Sequence, residues 1–556
     1  MNHQRTAQTR PRSAAIAALA VAAALSMGLG ACSSSAGAAR VDATSDTPVK
    51  GGVLKVATSG VDPGCLDGHQ ISSEYMQYFG RVIYDNLVAQ DPNGKIVPWL
   101  ATAWNITNGG KTYTFTLRDD VHFSDGTKFD ANAVKVNFEH MLDPKTKSPL
   151  AGNYIRPYRD SKVLSPTTIQ VDLQYPYSPF LDVLAQGWLG MDSPTQIKND
   201  PASLCTAPIG TGPFIVTSYT KQQSVIVKRN PRYDWAPAYA KHAGPAYLAG
   251  IEFDFVAEDS VRYNSLISGQ YDLTTAAPPQ NAESIKENPD FTYVSTPRPG
   301  LPITWEFNTA RGPFSDIDVR KAFRAAVNVP AIDKSVGFGF LTPVDTYVGA
   351  RTQYFDPKTK GEYTYDPKQA DSLLDKAGWT GRDSAGYRVK DGKRLAVTIN
   401  VSDATNAATI DQIQAAVKKV GIQLVNRQVT QAQALQMRYA GDYDIISGAW
   451  HTNTPDVLYI IFNSHSISTP TQPGQNLSLL SDPQIDEWTQ AARETTDPAT
   501  QRELYQHVQQ RLIDLAPGLP ISEYSSQYAY NSSVVHGIQS VNTHPVPYFV
   551  NAWLTR

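Results

Sequence analysis

Aromatic, imidazole, amide and carboxylate groups meet in one ten-residue stretch, Ser447 to Asp456 (SGAWHTNTPD). The flat faces of Trp450 and His451 can stack on a ligand, Asn453 can exchange hydrogen bonds without bringing a charge, and Asp456 carries the carboxylate of the turn. With Trp305 they make the candidate ligand-binding set, and their chemistry is that of binding. The covalent alternatives fail on spacing. The chain has no GxSxG and no HExxH, so nothing marks a secreted hydrolase. Gly109-Gly110-Lys111-Thr112 looks like the end of a phosphate loop, but Asn105 stands where the first glycine of GxxxxGKT belongs, and the run leads into a strand instead of a helix. Past the N-terminal segment the histidines are scattered (His69, His122, His140, His242, His451, His465, His507, His536, His544), with no pair at ligand spacing, so neither a metal set nor a cofactor is expected.

A chain of 556 residues exceeds what one core usually supports, so two or three lobes are expected. Hydrophobic residues at 41% and charged ones at 18% fit a globular protein. The formal charge is only −3 and no Lys/Arg block stands out, which argues against a nucleic-acid partner. The 28 tyrosines and 9 tryptophans suit a ligand cleft, although core and lobe packing will claim most of them.

At the N-terminus, Arg5, Arg10 and Arg12 precede a small-apolar run from Ala14 to Leu25, and Leu29-Gly30-Ala31-Cys32 follows. A basic start, an apolar run and small residues before a cut define a secretory signal. Cys32 directly after Leu-Gly-Ala resembles a bacterial lipobox, which implies diacylglycerol on that sulfur; an ordinary signal peptide is the alternative. Residues 33–50 are rich in Ser, Ala and Gly and read as a tether. No other apolar run reaches the length of a membrane span. Outside the cytosol disulfides persist, so Cys65 and Cys205 are a candidate bridge, with two buried thiols as the alternative.

Further along, Val53–Ala57 reads as a strand, Ser72–Leu87 as a helix, Thr112–Arg118 as a strand and Ala131–Met141 as a helix. Phe214–Tyr219 and Ser224–Lys228 read as a hairpin after the turn cluster Pro208-Ile209-Gly210-Thr211-Gly212-Pro213. Asp318 is placed to cap a helix ending near Asn328, and Asp366 with Pro367 opens another that Gly378 stops. Ile410–Val420 reads as a helix, Ile422–Val425 as a strand and Tyr443–Ala449 as a further strand, and this alternation implies an α/β lobe.

Pro208 to Trp235 (PIGTGPF, then RNPRYDW) closely resembles the signature of the family 5 extracellular solute-binding proteins of ABC importers, a group including oligopeptide, dipeptide and nickel binders. Further blocks match in the family's order: Val97 to Val134 (with Trp104, Tyr113, Phe115, Arg118, Asp125, Gly126), Arg262 to Leu273, and Pro313 to Ala322. The resemblance implies an α/β fold of the type II periplasmic-binding-protein kind: two α/β lobes joined by a hinge, with an extra family-specific subdomain. The expected layout is 1–31 signal peptide, 32–50 tether, 51–92 first part of lobe I, 93–205 extra subdomain, 206–296 second part of lobe I, 297–516 lobe II and 517–556 the C-terminal part of lobe I.

The implied function is capture of a peptide or peptide-like solute between the lobes for delivery to an ABC permease. The partners are then that ligand, the permease subunits and the membrane through the lipid anchor; a monomer on the outer face of the cytoplasmic membrane is expected. A nickel chelate, haem, siderophore or glycoconjugate is the alternative cargo, and a sensor subunit the alternative role. In family peptide binders an acidic residue three positions after the Trp of the 447–456 turn meets the ligand's amino group. Asn453 occupies that position here, which puts recognition of a free amino terminus in doubt. The segment Val61 to Gln70 resembles a cleft loop of relatives, and no contacts are assigned to it.

Overall fold

The computed structural model describes residues 47–402, 406–469, 474–541 and 544–556. The leader, the lipobox and Cys32 lie outside the described residues. Among those residues, no helix is long and apolar enough to cross a membrane.

Two sheets carry the fold. The first has seven strands in the order Phe291–Pro297, Ser525–Asn531, Leu273–Thr275, Val53–Ser59, Gly250–Val256, Ser224–Arg229 and Phe214–Thr220. Val53–Ser59 runs parallel to Gly250–Val256 and Leu273–Thr275. Its Leu54, Val56 and Ala57 are fully buried, as a central strand covered on both faces requires. The second has five strands in the order Gln423–Gln428, Ala396–Val401, Ile445–His451, Gly300–Phe307 and Gly518–Ser522. Residues 101–173 add a separate four-stranded antiparallel sheet covered by the helix Ala131–Leu142.

The chain passes between the two large sheets by two short crossings. Pro297 ends a strand of the first sheet and Gly300 begins one of the second; Ser522 ends a strand of the second and Ser525 begins one of the first. The crossings are bonded to each other, Arg298 N donating to Tyr524 O at 2.8 Å.

The glycines of the Pro208–Pro213 cluster are required by close approach. A Cβ on Gly210 or Gly212 would collide with the Ile83 backbone, onto which Gly212 N donates a hydrogen bond of 2.9 Å. The far end of the same motif closes the staple. Asn230 Nδ2 donates to Gly212 O, and Tyr233 and Trp235 both donate to the buried Asp85, at 3.2 and 2.8 Å. Burial raises the Asp85 carboxyl to about 7 against these donors.

Local signals held in type and shifted at the ends. The expected Ser72–Leu87 helix is confined to Met76–Ile83, because Tyr84 turns extended to place Asp85 under the staple. Asp318 does not cap its helix: Asp316 does, accepting from Asp318 N, and the helix is Ile317–Ala325. Asn328 caps a second helix, Val329–Val336, where one ending was expected. Asp366 caps Pro367–Lys376, accepting from the backbone of Lys368 and Gln369.

Cys65 and Cys205 form a disulfide with Cα atoms 4.2 Å apart, 140 positions apart in sequence. Closing so long a loop restricts the unfolded chain. The double variant Cys65→Ala/Cys205→Ala is expected to lose about 4 kcal/mol in urea unfolding. An unchanged midpoint would show that the bond does not restrain the denatured ensemble.

Candidate ligand-binding cleft

The strand Ile445–His451 pairs antiparallel with Gly300–Phe307, Leu301 opposite Trp450 and Gly300 opposite His451. Gly300 has φ +120°, and a Cβ there would strike the Trp450 carbonyl. The crossing between the sheets thus delivers Trp450 to one wall of a cleft. That cleft has a volume of about 370 Å³, and Tyr154, Arg156, Tyr175, Tyr177, Tyr459 and Arg493 line it with Trp450 and Asp456. The opposite wall comes from the antiparallel domain, through the short helix Ala151–Tyr154 and the segment after Thr168–Leu173.

Asp456 sits at the start of the helix Val457–Phe462, 1% exposed, with Oδ1 3.1 Å from Arg493 Nε. Tyr177 donates to its other oxygen at 3.4 Å. The Arg493 guanidinium lies over the rings of Tyr459 and Tyr177, at 3.7 and 5.0 Å. Burial pushes the Asp456 carboxyl up to about 6 against the pull of Arg493. Asp456 is therefore ionised at neutral pH and already paired. Ser178 ties the same walls together, its N–H donating to Arg493 O at 2.7 Å.

Asn453 has its own partners. Its amide donates to Gln90 Oε1 at 2.9 Å and to Asp182 O at 2.7 Å, and its carbonyl accepts from Gln186 Nε2 at 2.8 Å. It bolts the 450–456 turn to residues 90 and 182–186. Two carboxyls stand nearby: the half-buried Asp182, which desolvation raises to about 7, and the buried Asp456. A neutral amide at 453 avoids adding a third and supplies the two donors that the site needs.

The Trp450 indole N–H and the Tyr154 hydroxyl are buried without a hydrogen bond of good geometry. The exposed Arg156 donates to Asn153 Oδ1 at 2.7 Å and keeps further N–H groups at the cleft mouth. His465 also lines the cleft; Asn463 Oδ1 lies 3.1 Å from its Nδ1, so in the neutral ring the lone pair is on Nε2. His451 is half-buried at the strand end, outside this lining. Trp305 is 1% exposed in the core of the second sheet and borders a different depression, with Asn400, Arg438 and Tyr443. Arg156, Tyr177, His465 and Arg493 escaped the sequence analysis; the dense aromatics of Tyr175-Pro176-Tyr177 were their nearest signal.

Two α/β units joined by paired crossings, with a donor-lined cleft beside the second, define a bilobed solute-binding protein. Residues 95–468 match the bacterial extracellular solute-binding proteins, family 5 (middle region), and the chain belongs to that family. It is 30% identical over 481 residues to the nickel-binding periplasmic protein of Escherichia coli strain K12, covering 84% of this chain and 88% of that one. Among solved structures it resembles NikA from Brucella suis in complex with Fe(III)-EDTA, with TM-score 0.79 and 26% identity over 90% of this chain and 100% of the other. It also resembles DppA from Helicobacter pylori in complex with the peptide STSA, with TM-score 0.76 and 25% identity over 91% and 99%. These homologues are solute-binding proteins of ABC transport, and the family takes peptide and small-molecule ligands.

Asn453→Asp is expected to destabilise the protein by about 1–3 kcal/mol, because a carboxylate oxygen would face the Asp182 carbonyl and Gln90 Oε1 in place of a donor. Urea unfolding reads this; an unchanged midpoint would mean that these bonds do not hold the turn.

Proposed function

We propose that this protein captures a small solute bearing a carboxylate, a short peptide or a carboxylate-chelated metal ion, and presents it unchanged to an ABC permease. The donor-rich composition of the Trp450 cleft supports this reading. The buried Asp456 is paired with Arg493 and the half-buried Asp182 accepts from Gln90, whereas the exposed Arg156 brings donors to the cleft mouth. About 370 Å³ suits a ligand of a few residues. Trp450, Tyr175 and Tyr459 would supply stacking faces. Asn453 acts here as the bolt that holds the turn, so an ammonium group is not what the turn reads.

The lobes proposed are the seven-stranded unit with its antiparallel domain on one side and the five-stranded unit on the other, closing on ligand about the crossings at 298–299 and 523–524. The working form is a monomer held on the outer face of the cytoplasmic membrane by lipid on Cys32. Cys32→Ala is expected to release the protein from membranes into the soluble fraction; persistence in the membrane fraction would overturn the anchor.

The ligand class is tested by calorimetry with di- and tripeptides as free acids and as C-terminal amides, following native mass spectrometry of the protein as expressed. Free acids are expected to bind at least about 10-fold more tightly than amides, and Arg156→Ala to erase that difference. Equal binding of acid and amide would overturn carboxylate recognition. The chelate reading is favoured by His465, whose Nε2 lone pair can reach a metal that arrives inside a chelate. His465→Ala should then weaken nickel-chelate binding and spare peptide binding; loss of neither would remove that reading.

A further inference from the structure

Away from the cleft, three distant segments bring two imidazoles and two carboxylates to one point. Asp67 and His69 lie on the turn just after the disulfide-bonded Cys65, His140 is in the last turn of the helix Ala131–Leu142, and Asp192 follows Gly190. One donor atom from each lies within 4.8 Å of all the others. His69 Nδ1 is 3.0 Å from His140 Nδ1, 3.4 Å from Asp192 Oδ2 and 3.9 Å from Asp67 Oδ1. Ligand atoms about 2.0–2.1 Å from a tetrahedral ion stand roughly 3.3–3.5 Å apart; the His69 distances are already close to that, and the widest pairs, within 4.8 Å, would have to draw in by about an ångström.

The surroundings orient these groups as metal ligands are oriented. His69 Nε2 is 2.9 Å from the Gly190 carbonyl, which places the proton there and turns the Nδ1 lone pair into the cluster. Asp67 is fixed by the N–H of His69 at 2.7 Å and by Gln70 Nε2 at 2.8 Å. Asn137, one turn before His140, exchanges two bonds with the Asp192 backbone, Nδ2 donating to its carbonyl and Oδ1 accepting from its N–H. Asp192 is 1% exposed, with the Asp67 carboxyl and the Tyr84 hydroxyl beside it; the Tyr84 hydroxyl donates to Leu66 O at 3.0 Å. Two buried carboxylates this close repel each other, a cost that a cation removes.

We propose that Asp67, His69, His140 and Asp192 form a four-ligand site for a divalent transition-metal ion of the Zn²⁺ or Co²⁺ kind. The N₂O₂ donor set and the four ligands without an added open position suit a structural ion. It would clamp the turn after the disulfide to the helix Ala131–Leu142 and to the segment at 190–192. His140, half-exposed, is the way in. The site is separate from ligand capture, since none of the four residues lines the Trp450 cleft.

The test uses the full-length protein, stripped with a chelator and titrated with Co²⁺. The expected result is one equivalent bound with the visible absorption of tetrahedral Co²⁺, bleached by Zn²⁺, together with a rise in Tm. His140→Gln, at a half-exposed position that tolerates the change, should lower Co²⁺ affinity more than about 10-fold and abolish the Tm rise. His465→Ala, in the cleft, should alter neither. Sub-stoichiometric binding, a weak octahedral spectrum, or a Co²⁺ signal that survives His140→Gln or vanishes with His465→Ala would each overturn the proposal. In the first of these cases a proton shared between Asp67 and Asp192 is what holds the cluster together.

Discussion

The paired crossings at 298–299 and 523–524 are the constraint on which everything else depends. Only two residues separate a strand of one sheet from a strand of the other, twice, and the two links share the bond from Arg298 N to Tyr524 O. The side chains reinforce it. Arg298, 8% exposed, donates to Glu74 Oε2 at 2.6 Å and to Ser526 Oγ at 2.7 Å, its guanidinium lies 4.7 Å from the Tyr524 ring centre, and the Tyr524 hydroxyl also donates to Glu74. A buried guanidinium without such partners would be strongly destabilising, so the cluster holds its own geometry. Because Gly300 follows directly and admits the Trp450 backbone, the position of the cleft is tied to the same crossing.

The most recognisable sequence signature does not line the candidate cleft at Trp450. The glycines of Pro208–Pro213 let one backbone press on the end of the helix Met76–Ile83, while Asn230, Tyr233 and Trp235 close on Gly212 and Asp85. These are demands of close packing: a methyl group has no room, and a buried carboxyl must have donors. That explains why the motif identifies the architecture so well and says nothing of the cargo.

Legibility followed the range of the interaction. Caps and periodic faces are local, so Asp366 and the alternation of Thr112 to Leu117 read directly from the sequence. Ends moved where a tertiary contact took over, as at Tyr84, or where two acids competed for one cap, as at Asp316 and Asp318. The fold class and the family were legible because several local motifs occur in a set order. Of the residues expected to meet a ligand, Trp450 and Asp456 line the candidate cleft. Arg156 and Arg493 come from other elements and carry no local signature. Asn453 shows the limit of reasoning by position: its partners Gln90, Asp182 and Gln186 lie more than 260 residues away, and they decide what the amide does. His69 and His140 looked scattered because 71 residues part them, yet their Nδ1 atoms are 3.0 Å apart.

The two polar sites have opposite electrostatic characters, and the difference bears on how a metal could be handled. In the cleft the guanidinium groups of Arg156 and Arg493 stand among aromatic faces, and the carboxyls present are already engaged. A bare divalent cation meets no free negative charge there and would sit near cations, an unfavourable arrangement in a partly desolvated space. An anionic chelate avoids that cost, since its carboxylates face the donors and shield the ion. At the Asp67–Asp192 cluster the sign is reversed: two carboxyl groups and two imidazoles meet at a largely buried point, with no cationic side chain among the four. On the two proposals made above, a metal ion as cargo and a metal ion as part of the protein would meet opposite surroundings, each of which disfavours the other's form.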